Sequence, residues 1–206
     1  MNAAPQPLHD VALLALDSGM RPGEELALRW ADVHFDLVKG AKFGYVHVAR
    51  GKSRNAKRNL SLTPRVRAML EGREKQKTSA WVFTDETGWR PLSRFTLRDQ
   101  HDAVRQAIKR PAEFVIYCLR HTFGTRLGES GENAFTIMKI MGHSSVTVSQ
   151  RYVHPTPETL ERAFERLEER NQRAAAELLE GQKRQLPATL SATGWIAKVD
   201  AQREVA

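Results

Sequence analysis

The sequence predicts an α+β fold that is predominantly helical and carries a small antiparallel β-hairpin or sheet. Two observations point to it. Apolar residues recur at three- and four-residue spacing along most of the 206-residue chain, and a single region near residues 45–62 alternates every second residue instead. A chain of this length buries one substantial core and has residues to spare for an appendage.

HDVALLALDS (9–18) reads as a first helix with Val11, Leu13, Leu14 and Leu16 apolar and Gly19 as its stop. Pro22 suits the first turn of a second helix, where its missing N–H costs nothing, and Glu24 and Glu25 suit the positive end of that helix. Arg21 is thereby set at a helix junction. On their spacing, Leu26, Leu28, Trp30 and Val33 are core residues that hold it there. YVHVAR (45–50) alternates as a strand, and RNLSL (58–62) is its expected partner across the basic connection GKSRNAK, a hairpin with a positively charged tip. Helical patterns follow at about 63–77 and 93–109, separated by WVF (81–83) as a short strand and a turn region with Gly88 and Pro91. Tyr117 to Met141 reads as helix interrupted near GESGEN, and Ser144 or Ser145 is expected to cap a further helix carrying Tyr152 near its end. Pro155 and Pro157 interrupt that helix. Beyond them Leu160, Phe164, Leu167, Asn171, Ala174 and Leu178 recur at alternating spacings of four and three, a heptad seam on a highly charged helix that needs a surface to pack on.

Composition narrows the function classes. The net charge of +8 favours a polyanionic partner such as nucleic acid. One cysteine, Cys118, excludes an intramolecular disulfide or a thiolate cage for zinc and makes a reducing cytosol the simplest compartment. No apolar run approaches the roughly 20 residues of a membrane span, so no membrane partner is expected. The seven histidines are scattered, with no H-E-x-x-H and no dense carboxylate group, and no Gly-x-x-x-x-Gly-Lys loop is present; neither a metal nor a nucleotide cofactor is expected.

Four stretches carry chemistry in order: SGMRPGEELALRWADV (18–33), RGKSRNAKR (50–58), LRHTFGTRL (119–127) and MGHSSVTVSQRYVH (141–154). Together they resemble the tyrosine recombinase, or phage integrase, family over about residues 9–154, the extent of its catalytic domain. The resemblance implies that fold, double-stranded DNA as partner, and site-specific recombination by cleaving and rejoining strands through a covalent 3′-phosphotyrosine. It implies that Arg21 and Arg120 clamp the scissile phosphate, that Lys52 protonates the departing 5′ oxygen, that His143 is an active-site histidine and that Tyr152 is the nucleophile. Arg54 and Lys57, on the same basic connection, are expected to touch DNA phosphates.

The residue chemistry is consistent with these roles. A phosphodiester passing through a pentacoordinate state concentrates charge on its nonbridging oxygens, which a planar, permanently charged guanidinium fork suits. A phenol nucleophile keeps the bond energy in a phosphotyrosine, so rejoining needs no ATP.

One position departs from the family pattern. His-x-x-Arg is usual at the second arginine, and this chain has Tyr117-Cys118-Leu119-Arg120. A phenol donates a hydrogen bond to phosphate well, but with an ordinary pKa of about 10 it is a poor proton acceptor. Tyr117 is therefore expected to assist by hydrogen bonding; if that position must accept a proton, the chain is slow unless His143 takes over. His121 is expected to pack or hydrogen-bond within its own helix, and His154 has no catalytic role. A DNA-binding protein that has lost catalysis and a type IB topoisomerase-like enzyme are the competing readings. The expected organisation is a catalytic domain over 1–156, a charged helix over 157–184 that either packs on the same domain or docks on a neighbouring protomer, and a flexible tail over 185–206, without the N-terminal core-binding domain common in the family.

Overall fold

The computed structural model describes residues 4–49 and 57–185, which divide into one unit up to His154 and a second from Pro155. The first unit runs α1 (Leu8–Ser18), α2 (Pro22–Leu26), a short 3-10 turn (Trp30–Asp32), β1 (Val33–His34), β2 (Tyr45–Val48), β3 (Arg58–Ser61), α3 (Pro64–Glu74), α4 (Arg94–Ala107), α5 (Tyr117–Glu129), α6 (Ala134–Met141) and α7 (Val146–Gln150). The second contains α8 (Pro157–Gln185). The predicted fold class is borne out: helices dominate, with one small antiparallel sheet.

The sheet has order β1-β2-β3, with Val33 opposite Val46 and Val46 opposite Leu60. These three side chains are buried on one face, as strand alternation requires. They join Val11, Leu14, Met20, Leu28, Trp30, Val66, Leu70, Phe83 and Leu97 in one core between the sheet and the first four helices. A second, smaller cluster of Ile137, Met141 and Tyr152 is packed by Phe123, Leu127 and Val153.

Two predicted elements differ. WVF does not form a strand: Trp81 makes an isolated bridge with Arg29, and Val82 N–H bonds to Leu28 O at 3.0 Å. Val82 and Phe83 are buried, so this segment plugs the core, and three residues are too few to propagate a ladder. Tyr152 is not on α7 but one turn beyond it, its N–H bonded to Ser149 O at 3.0 Å. The basic connection between β2 and β3, including Lys52 and Arg54, and the tail beyond Gln185 lie outside the described residues.

Candidate active site

Arg21 is placed by local rules. It precedes Pro22, which disfavours helical backbone at residue 21, and it sits at φ −77°, ψ 145° as the N-cap of α2. Glu24 then holds it twice, accepting the Arg21 backbone N–H at 2.9 Å and its Nη1 at 2.8 Å. The ion pair that a lone arginine would form and the junction placement are thus one arrangement. Glu24 also accepts two bonds from Arg58, at 3.2 and 3.0 Å, and these cationic donors hold its carboxyl below the usual range although burial works the other way.

The C-terminal end of α6 is where the cations meet. Gly142 stops that helix in the left-handed region at φ 67°, and the N–H groups of Gly142 and His143 both turn back to Met138 O. The last carbonyls are left without helical partners and carry the negative end of the helix dipole. Three arginines take them: Arg58 Nε to Ile140 O at 2.6 Å, Arg120 Nη2 to Met141 O at 2.7 Å, and Arg21 Nη2 to Gly142 O at 2.9 Å. Arg120, on the first turn of α5 and 1% exposed, also donates Nη1 to Gly19 O at the end of α1. Its Nε is buried without a partner among the described residues.

His143 follows Gly142 directly and is buried, its Nδ1 2.7 Å from the Oγ of buried Ser149 on α7. Burial, and then the positive field of Arg120, Arg21, Arg151 and Arg58, push its pKa down to about 4, so it is neutral at physiological pH. Its ring lies parallel to Tyr152 with centroids 6.2 Å apart. The Tyr152 side chain is buried, which raises the phenol pKa, while Arg120 and Arg151 oppose that rise.

Tyr152 has a seat on α5. A Cβ on Gly124 would stand 2.9 Å from the phenol ring, and one on Gly128 would collide with the Tyr152 carbonyl. The two glycines, four residues apart, clear one helix face for this segment. His121 lies on α5 as well, and its Nδ1 is 2.7 Å from Tyr152 Oη. His121 thus packs within its own helix, against Tyr117, as expected, but its hydrogen-bond partner is on another element, because the glycine groove draws the residue 152 segment against α5. Tyr117, one turn before His121, stands edge-on to that imidazole at 5.1 Å between centroids and is 39% exposed.

The structure thus brings Arg21, Tyr117, Arg120, His143 and Tyr152 into one connected site, while Lys57 is exposed at the start of β3. Sequence reasoning missed Arg58, His121, Ser149 and the two seat glycines. The Gly124–Gly128 spacing was a readable signal; nothing in RNLSL distinguished Arg58. Glu25 was also missed. It is fully buried, neither carboxyl oxygen has a hydrogen-bond partner among the described residues, and burial followed by the nearby Glu24 raises its pKa well above the ordinary range against the pull of Arg120. Around Tyr152 and His143, Arg21, Arg58, Arg120 and Arg151 therefore face one ionised carboxylate, Glu24, and one neutral carboxyl, Glu25. The balance is cationic and suits a phosphate. Among the described residues no three His, Cys, Asp or Glu side chains gather as a metal site, and no helix is long and apolar enough to cross a membrane.

Mostly helical, with a three-stranded antiparallel sheet, this is the fold of tyrosine recombinase catalytic domains: a solved structure of the Tn1549 transposon integrase in complex with a circular intermediate DNA superposes with a TM-score of 0.65 at 20% identity, covering 79% of this chain and 59% of that one. The model of the phage integrase family matches residues 1–159, and the chain belongs to that family. Among curated relatives, the tyrosine recombinase XerC of Pediococcus pentosaceus is 28% identical over 167 residues, 77% of this chain and 54% of the relative. The integrase of Salmonella phage P22 is 27% identical over 164 residues, 75% of this chain and 41% of that protein. The chain spans about half the length of the curated relatives it matches.

Proposed function

We propose that this chain carries out site-specific recombination of double-stranded DNA, cleaving and rejoining strands through a phosphotyrosine on Tyr152. The observation that carries the reading is the buried Tyr152 phenol, set between two histidines at a site where four arginines outnumber one ionised carboxylate. Tyr152 Oη attacks phosphorus and the P–O5′ bond breaks. Arg21 and Arg120 hold the nonbridging oxygens as their charge grows, and neutral His143 donates a further hydrogen bond. Tyr117 assists by hydrogen bonding, and Lys52 gives the departing 5′ oxygen its proton. Arg54 and Lys57 contact flanking phosphates. The reaction needs no nucleotide, since the phosphotyrosine retains the energy for rejoining.

Recombination needs several such sites held together. Leu160, Phe164, Leu167 and Leu178 form an apolar, exposed seam along α8, which supports docking on a neighbouring protomer. The chain acts in the cytoplasm, on nucleoid DNA. The test is to incubate it with a pool of nicked duplexes, denature, and search by mass spectrometry for nucleotide attached to tyrosine. An adduct on Tyr152 that Tyr152→Phe abolishes is the expected result; DNA binding with no adduct would favour a binding protein that has lost catalysis.

A further inference from the structure

We propose that His121 is the proton acceptor for Tyr152 during strand cleavage, the task for which the phenol of Tyr117 is chemically unsuited. This rests on the recombinase reading above. Three observations carry it.

First, Tyr152 Oη lies 2.7 Å from His121 Nδ1, a length at which proton transfer needs no further approach. Second, the direction of that bond follows from acidity. A phenol O–H is a stronger donor than the N–H of a neutral imidazole, and the bare imidazole nitrogen is the stronger acceptor. The phenol therefore donates to Nδ1, and the imidazole proton resides on Nε2. Third, the other candidates are worse placed. His143 has Nδ1 engaged with Ser149 and presents its ring face parallel to the phenol. Tyr117 meets the His121 ring edge-on, which orients that imidazole.

The groups around His121 favour a neutral imidazole in the resting state. Arg120 and Tyr117 come from its own helix, and Arg151 and Tyr152 from the segment after α7. Burial, with the two arginines adding to it, lowers the imidazole pKa below its ordinary 6.5. The step balances without any co-reactant. As the Oη–P bond forms, the Oη–H bond breaks and the proton passes to Nδ1, leaving an imidazolium; the P–O5′ electron pair leaves with the 5′ oxygen, which Lys52 protonates. In rejoining, the 5′ hydroxyl attacks and its proton returns to Lys52, the Oη–P bond breaks, and His121 gives its proton back to the departing phenolate.

The test is the rate of Tyr152 adduct formation on the nicked-duplex pool between pH 5 and 9, for wild type, His121→Ala, His121→Asn and Tyr117→Phe. Asparagine keeps an acceptor near the Nδ1 position but cannot hold a proton, so it separates a positioning bond from a proton acceptor. The wild-type rate is expected to rise through the lowered His121 pKa and level off by about pH 7. Both His121 variants lose on the order of 100-fold at pH 7 and then climb with pH, while Tyr117→Phe, which loses only a hydrogen-bond donor, is slower by the same factor at every pH and keeps the wild-type midpoint. Full activity in His121→Asn, or a plateau retained in His121→Ala, would overturn the assignment while the wild-type adduct left the recombinase reading standing. Absence of an adduct in the wild type itself would remove both. Retention of melting temperature and DNA binding by His121→Asn shows that its loss of rate is chemical.

Discussion

Glu25 is a carboxyl sealed from water, neither oxygen of which has a hydrogen-bond partner among the described residues. An ionised carboxylate there would lose its hydration beside the negative Glu24, a cost that the pull of Arg120 does not offset, so the group stays protonated in the native protein. The unfolded chain ionises above the ordinary value of 4.5 while the native chain does not, so stability is fully present below that pH and is lost as pH rises through the raised native pKa. Glu25→Met should accordingly stabilise the protein by about 1–3 kcal/mol at pH 7 and by much less near pH 4, read from thermal melts at both values. Equal gains at the two pH values would show that Glu25 is not held neutral. His143 has the opposite sign: with its pKa depressed to about 4 from 6.5, its contribution is complete above 6.5 and is lost as pH falls toward 4. Its ring proton resonance should titrate near pH 4 in the free protein and higher once a DNA phosphate offsets the four arginines. A free-protein midpoint at 6.5 would contradict the cationic site.

Helix ends and helix faces do most of the positioning. The C-terminus of α6 collects three guanidiniums because Gly142 ends that helix abruptly and leaves its carbonyls open, and the same stop directs the chain into His143. The α5 face carrying Gly124 and Gly128 accepts the Tyr152 segment at backbone contact. Gly128→Ala should push that segment away, costing about 1–3 kcal/mol of stability and lowering adduct formation by at least about tenfold, since the proposed nucleophile leaves its partners. Wild-type adduct yield in this variant would mean that the seat is not needed. On α8, Leu160→Glu with Phe164→Glu should abolish self-association on DNA in sedimentation or gel-shift assays without changing the melt of the first unit; unchanged assembly would assign the seam another partner.

For the whole molecule, the +8 charge and the arginine cluster would make the proposed DNA affinity an electrostatic quantity. Each neutralised phosphate releases counterions, so log affinity should fall steeply and linearly with log salt, and Lys57→Ala should reduce that slope by about one unit. Affinity insensitive to salt would argue against phosphate recognition altogether. The helices were legible because their periodicity, caps and stops are local: Gly19, Pro22 and Ser145 each act within a turn of their own position. The hairpin was legible from its alternation. WVF misled because a short apolar run looks the same whether its backbone pairs in a ladder or is simply buried beneath neighbouring loops.

Arg21, Arg120, His143 and Tyr152 were singled out by motifs that resemble those of the family, and the structure places them near one another. Their working partners were not singled out. His121 meets Tyr152 across 31 positions, Arg58 reaches Glu24 across 34 and Ile140 across 82, and Arg120 reaches Gly19 across 101. A helical repeat tells which residues share a face, but which face meets which is decided by long-range packing. Burial likewise belongs to the assembled structure: the same glutamate that would suit a solvated helix start becomes, at Glu25, a neutral group enclosed beside an arginine.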